Sequence, residues 1–216
     1  MKKQNRLHGL YAITNEQLLS ADKLLSSVEK AIDGGSRIIQ LRDKSSEPNV
    51  RKQLALACQA LCNARQITFI VNDDIALALE VNADGVHLGK EDSRLIEARA
   101  QLGNEKIIGI SCYDQFGLAL EAEKSGADYI AFGSFFTSTI KPHAVTADIN
   151  LLIRAREELK IPVVAIGGIT HDNAGSLLSA GADMLAVISA VFAQTDIEAS
   201  AHRFSLLFDA PSSDAG

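Results

Sequence analysis

The chain has 216 residues, 47% of them hydrophobic and 22% charged, which is the profile of an ordinary globular protein of one domain with a sizeable core. Its formal net charge is −6 with no basic block, which argues against nucleic acid as the principal partner. No apolar stretch is long enough to be read as a membrane span.

The predicted elements alternate along the chain. A short apolar run at 10–14 reads as a strand, and 21–33, with apolar residues at three- and four-residue spacing, reads as a helix. The pattern then repeats as strand 37–41 and helix 50–65, strand 68–72 and helix 74–81, strand 85–88 and helix 93–102, and strand 107–111 and helix 118–125. Strand 129–133 and helix 150–159, strand 163–167 and helix 173–180, and a last strand at 184–189 complete it. The strands are continuous apolar runs, as expected where both faces are buried. Eight strand–helix units in one ordinary domain predict an α/β fold, a single-domain (β/α)8 TIM barrel; an open doubly wound sheet usually has fewer units. The stretches 33–39, 82–88, 126–132 and 181–187 echo one another, three of them through an Ala-Asp pair. The echo suggests a (βα)2 unit recurring around the barrel, in which Gly ends a helix in the left-handed conformation and a small polar turn launches the next strand. Residues 1–7 and 210–216 are expected to fray.

The basic start of the chain is not followed by an apolar run, so no signal peptide is read there. Cys58, Cys62 and Cys112 show neither zinc spacing nor a CxxC pair. They read as small buried hydrophobes in a reducing compartment. Both points make a cytoplasmic location the expectation; oligomeric state, including a homo-oligomer, is left open.

In a barrel of this kind the active site lies at the C-terminal ends of the strands, and there the sequence is polar. After the second strand comes Gln40-Leu41-Arg42-Asp43-Lys44, whose two cations suit a phosphate or pyrophosphate, although a solvated loop reads the same way. After the third comes Asn72-Asp73-Asp74, where one Asp suits a helix cap and the other a Mg²⁺ ligand. After the fourth, His87 reads as a packed, hydrogen-bonding histidine, and Asp92 as a cap or a second metal ligand. Ser111 ends the fifth strand with no His/Asp partner pattern to mark it as a nucleophile. The sixth is followed by a long hydroxyl-rich loop containing Ser138, Thr139, Ile140 and Lys141. Gly167-Gly168 after the seventh and Ile188-Ser189 after the eighth stand where barrels bind phosphate through backbone N–H groups. Two anion sites follow, one cationic and metal-assisted, the other built from backbone amides. They call for two phosphorylated small molecules, or for one carrying two phosphates.

With these residues the chain resembles the thiamine-phosphate synthase family. The matching pieces run in order from Gly9 to Ser189: GLYAIT from Gly9, QLRDK from Gln40, VNDD from Val71, ADGVHLG from Ala83 with Asp92 after it, GIS from Gly109, AFG from Ala131, Lys141-Pro142, AIGGIT from Ala165 and VIS from Val187. The resemblance implies joining of hydroxymethylpyrimidine pyrophosphate to hydroxyethylthiazole phosphate with release of pyrophosphate. It implies that Gln40, Leu41, Arg42, Asp43, Lys44, Asn72, Ser111 and Lys141 hold the pyrimidine pyrophosphate, with Arg42, Lys44, Ser111 and Lys141 acting in catalysis. Asp73 and Asp92 would bind Mg²⁺. Ser138, Thr139, Ile140, Gly168, Ile188 and Ser189 would hold the thiazole phosphate. One departure stands out: the family usually has Ser-x-Thr-Lys where this chain reads Ser138-Thr139-Ile140-Lys141, so Ile140 lacks the hydroxyl and Thr139 or Thr137 is the nearest substitute. The rival readings are a thiazole tautomerase-like paralogue, a non-catalytic thiazole or thiamine phosphate-binding barrel, and another phosphate-barrel isomerase. The first has no use for the Arg42, Lys44, Asp73 and Asp92 set, and the last needs an acid/base pair that the sequence does not display.

Overall fold

The computed structural model describes residues 3–89, 95–137 and 146–209. Eight parallel strands close in sequence order into a barrel, β1 pairing with β8. The strands are β1 (Gly9–Ile13), β2 (Ile38–Leu41), β3 (Thr68–Asn72), β4 (Gly85–Leu88), β5 (Ile107–Tyr113), β6 (Tyr129–Phe132), β7 (Val163–Ile166) and β8 (Met184–Val187). Helices α1 (Ala21–Asp33), α2 (Pro48–Ala64), α3 (Ile75–Glu80), α4 (Leu95–Leu102), α5 (Phe116–Lys124), α6 (Asn150–Glu158) and α7 (His171–Ser179) join them. Helices α8 (Ser189–Phe192) and α9 (Ile197–Asp209) follow β8. The predicted single-domain (β/α)8 barrel is therefore the fold.

Two cores result from the period-two alternation of strand side chains. The larger lies between strands and helices and includes Leu10, Ile39, Phe69, Val71, Ile108, Phe132 and Phe204. The smaller fills the barrel itself, with Tyr11, Ile38, Ile70, Ile107, Tyr129, Val164 and Met184 among its members. Strand parity puts Gln40 on the same face as Ile38, Asn72 on that of Ile70, and Ser111 on that of Ile107. On β2 to β5 the inward positions thus turn from apolar to polar toward the C-terminal ends, whereas Ile13, Ala131 and Ile166 keep β1, β6 and β7 apolar there.

Where the elements differ from expectation, local causes are visible. Strand β7 stops at Ile166 because Gly167 has φ +101°, and β8 stops at Val187 because helix α8 begins at Ser189. Helix α7 starts two residues earlier than periodicity indicates, where Asn173 Oδ1 accepts the Thr170 N–H at 2.8 Å. Residues 3–7, expected to fray, carry defined contacts. Lys3–Arg6 form a 3₁₀ turn, Lys3 Nζ donates to Asp128 Oδ1 at 2.9 Å, and Leu7 is buried among the barrel's interior residues. Helix α9 was not read from the sequence, although Ile197, Ala201, Phe204 and Phe208 have helical spacing; it packs on α1, α7 and β1.

The sequence echo is a turn with a built-in staple. Gly35, Asn82, Gly126 and Gly181 all have positive φ at the helix-to-strand turns. In three of the turns the following Asp accepts a backbone N–H of the preceding strand: Asp84 from Phe69, Asp128 from Ile108 and Asp183 from Val163, each at 2.8 Å. Asp128 also pairs with Lys3 and with Arg99 at 2.6 Å. Asp128→Ala leaves the Ile108 N–H without this acceptor at a fully buried position of β5. It is expected to lower stability by about 2–3 kcal/mol, seen as a lower urea midpoint at unchanged slope. An unchanged midpoint removes the staple from the account of stability.

Candidate active site

At the end of β2, Gln40 is buried and donates through Nε2 to the Tyr11 hydroxyl at 2.6 Å. Leu41 is also buried, facing the helices. The Arg42 N–H bonds Thr14 Oγ1 at 3.0 Å, and its guanidinium Nη1 lies 3.6 Å from Glu16 Oε2. That separation makes an ion pair but not a hydrogen bond. Asp43 caps its own loop, accepting the N–H groups of Ser45 at 3.1 Å and Ser46 at 2.9 Å. Burial pushes its carboxyl upward, but these bonds outweigh it and hold the group below its usual range. Any contact of Leu41 or Asp43 with an anion at the mouth therefore falls to backbone rather than side chain. A cavity of about 90 Å³ is lined by Glu16, Arg42, Asp43 and Ser46 among others.

The two carboxylates after β3 divide their labour. Asp74 is the N-cap of α3, accepting Leu77 N–H at 2.9 Å. Asp73 sits at φ +64° and does not cap. Its Oδ2 accepts from Asn72 Nδ2 at 2.6 Å and pairs with Lys44 Nζ at 3.1 Å, joining the ends of β2 and β3. Asn and Asp tolerate this left-handed conformation better than most residues. Asp73 is a hard oxygen donor beside an anion-seeking lysine, which fits a Mg²⁺ that takes one or two carboxylates and completes its shell from phosphate and water. Among the described residues no group of three or more His, Cys, Asp and Glu converges on a point. Asp92, the second expected ligand, lies outside the described residues, as do Ser138, Thr139, Ile140 and Lys141.

His87 bridges β5 and β6. Its Nε2 is 2.9 Å from Ser111 Oγ, and its Nδ1 is 3.0 Å from the Tyr129 hydroxyl. Burial pushes its pKa down to about 4, against a smaller upward pull from Asp73, so the imidazole is neutral near pH 7. It is the hydrogen-bonding histidine that the sequence suggested. Sequence reasoning missed its partner Tyr129, Tyr11 bonded to that tyrosine at 2.8 Å, and Glu16 beside Arg42. The tyrosines sit inside apolar runs, where only strand parity separates an inward phenol from core.

On another arc of the ring, β7 and β8 end in a turn that brings Gly167, Gly168, Ile188 and Ser189 around a small cavity of about 50 Å³. The start of the β6 loop is tied to it, since Phe135 N–H donates to Ile166 O at 3.1 Å and Phe136 N–H to Gly167 O at 3.0 Å. Gly168 has φ +63°, and a Cβ there would stand 2.5 Å from Thr137 O and 2.6 Å from Phe136 O. Helix α8 starts at Ser189, and its first N–H groups lack intrahelical acceptors.

These features define a (β/α)8 barrel with a charged and polar arc at β2 to β5 and a glycine-turn arc at β7 and β8. The family model described as thiamine monophosphate synthase matches residues 10–191. A thiamine-phosphate synthase of Thioalkalivibrio sulfidiphilus is 52% identical over 204 residues, covering 94% of this chain and 97% of that protein. One of Alcanivorax borkumensis is 48% identical, covering 94% and 95%. The solved thiamine phosphate pyrophosphorylase of Pyrococcus furiosus superposes with a TM-score of 0.86 at 37% identity, over 95% of this chain and 97% of that one. The chain belongs to the thiamine-phosphate synthase family, a family of transferases in thiamine biosynthesis.

No helix among the described residues is long and apolar enough to cross a membrane. Gly168→Ala forces a side chain into a left-handed turn and against two carbonyl oxygens. It is expected to weaken inorganic phosphate binding by roughly tenfold or more, from a backbone strain cost of about 1–3 kcal/mol. Calorimetric titration checks this, and unchanged affinity would take the turn out of the anion site.

Proposed function

We propose that the protein condenses hydroxymethylpyrimidine pyrophosphate with hydroxyethylthiazole phosphate to give thiamine phosphate and pyrophosphate. The observation that carries this reading is the gathering of Gln40, Arg42, Lys44, Asn72, Asp73 and Ser111 at the ends of β2, β3 and β5, with the Gly168–Ser189 turn on the same mouth. Gln40, Leu41, Arg42, Asp43, Lys44, Asn72, Ser111 and Lys141 receive the pyrimidine pyrophosphate. Ser138, Thr139, Ile140, Gly168, Ile188 and Ser189 receive the thiazole phosphate.

In the reaction the bond between the pyrimidine methylene carbon and the pyrophosphate oxygen breaks, and its electron pair leaves with pyrophosphate. Arg42, Lys44 and Lys141 oppose the growing negative charge. Asp73 and Asp92 would hold Mg²⁺, which when bound adds positive charge against the leaving group. The ring amine of the pyrimidine stabilises the cationic methylene, and the thiazole nitrogen donates its lone pair to form the new carbon–nitrogen bond. That nitrogen has no proton to lose, so the chemistry asks for no general base. A neutral, fully engaged His87 accords with this. The site contributes mainly by positioning two substrates and excluding water.

Purified protein mixed with both substrates and Mg²⁺ is expected to form thiamine phosphate, followed as its fluorescent oxidation product. Omission of either substrate, or addition of EDTA, is expected to abolish the signal. Thiazole phosphate binding without product would instead favour a tautomerase-like or non-catalytic barrel. Asp73→Ala and Asp92→Ala are each expected to lower turnover at limiting Mg²⁺ by roughly 10²-fold, the scale of losing one preorganised electrostatic contact. Turnover equal to wild type in either variant would overturn its assignment as a metal ligand.

A further inference from the structure

A single file of hydrogen bonds crosses the barrel interior. It runs from Gln40 Nε2 to Tyr11 Oη at 2.6 Å, to Tyr129 Oη at 2.8 Å, to His87 Nδ1 at 3.0 Å, and from His87 Nε2 to Ser111 Oγ at 2.9 Å. Its two ends, Gln40 and Ser111, are residues assigned above to the pyrimidine pyrophosphate; its three middle members are not. Space for the file is made on purpose by the sequence. A Cβ at Gly109 would lie 1.9 Å from the Tyr129 ring, so this position of β5 holds nothing larger than glycine while the ring stays in place.

The protons in the file can be counted. Both phenols keep theirs, because burial raises their pKa values well above the usual range. If Gln40 donates to Tyr11, then Tyr11 donates to Tyr129 and Tyr129 donates to His87 Nδ1. The single proton of neutral His87 is then on Nε2 and is given to Ser111 Oγ. Each link of the file then has one donor and one acceptor, and the Ser111 proton is left to point away from His87. In the opposite sense Ser111 donates to His87, and Tyr11 receives from both Tyr129 and Gln40. The Tyr11 hydroxyl proton is then left without an acceptor in a buried site, which is unfavourable.

We propose that His87, Tyr129 and Tyr11 are positioning residues that set the direction of this file, holding His87 as the Nε2–H tautomer so that Ser111 faces the substrate as a hydrogen-bond donor. The proposal rests on Ser111 contacting the pyrimidine pyrophosphate. An anion is served by a hydroxyl that donates. A serine whose proton is engaged by His87 would turn lone pairs toward it.

The first test needs no substrate. In ¹⁵N-histidine-labelled protein at pH 7.5 the ring nitrogens of His87, assigned by substituting the other histidines in turn, are expected to show a protonated Nε2 and an unprotonated Nδ1. A protonated Nδ1 overturns the proposal, whatever the protein makes. The second test follows turnover. Tyr129→Phe keeps the ring but removes the donor to Nδ1. It is expected to lower kcat/KM for the pyrimidine pyrophosphate by roughly tenfold and leave the KM for thiazole phosphate unchanged. In a Ser111→Ala background the same substitution is expected to add less than about twofold, because residues acting through one partner are not additive. Full additivity, or an equal rise in both KM values, would reduce Tyr129 to a packing residue. Wild-type protein that makes no thiamine phosphate would defeat the functional reading above, while the nitrogen shifts would still decide the direction of the file.

Discussion

Closure of eight parallel strands is the constraint on which the rest of the molecule depends. A closed sheet has no edge, so every strand is paired on both sides and its side chains alternate strictly between the barrel interior and the helices. The interior is narrow, and two tyrosines with a few aliphatic side chains fill its depth. Toward the C-terminal ends of β2 to β5 the inward positions are polar, and all but Gln40 are only partly buried. That is where Gln40, Asn72, His87 and Ser111 occur. Pleat parity and strand direction therefore assemble the site from residues far apart in sequence, with no further device.

Charge at this mouth is arranged in pairs before any ligand arrives. Lys44 leans on Asp73, and Arg42 on Glu16. Partly exposed ion pairs of this kind contribute little stability, about 0–1 kcal/mol, so folding alone gives weak reason for them. They matter more as geometry: each carboxylate holds a long, flexible cation near the strand end where an anion would be gripped, and lowers the ordering cost of gripping it. Asp73 serves this end through an unusual backbone. Its left-handed conformation frees the carboxylate from capping α3, a task that its neighbour Asp74 performs.

Fold and site were legible in the sequence to different depths. The eight apolar runs gave the strands, because burial on both faces keeps them mostly apolar, with polar residues such as Gln40, Asn72 and His87 near their C-terminal ends. QLRDK from Gln40 and NDD from Asn72 announced the site, because core packing does not choose charges at strand ends. Which Asp caps and which remains free was not legible, since the answer lies in the φ of Asp73, to which side-chain identity is nearly blind. Helix α9 carried a readable period at Ile197, Ala201, Phe204 and Phe208. The anchoring of residues 3–7 draws on Asp84 and Asp128, both far along the chain, and local reading has no access to it.

The buried file from Gln40 to Ser111 was the least legible feature, and the reason is instructive. Tyr11 and Tyr129 occupy strand interiors, where an aromatic residue is the ordinary choice for core, and only contact between non-adjacent strands reveals that their hydroxyls meet. Enclosing five polar side chains in a row is costly unless each is satisfied. Here the file satisfies them in only one sense without stranding a proton, given the Gln40 amide as it stands. A polar file in the centre of a barrel would be hard to justify by stability, because an apolar filling would serve as well. It is easier to understand as a means of giving the serine at its end a defined polarity, in a site where the chemistry needs no base and positioning is most of what the protein has to supply.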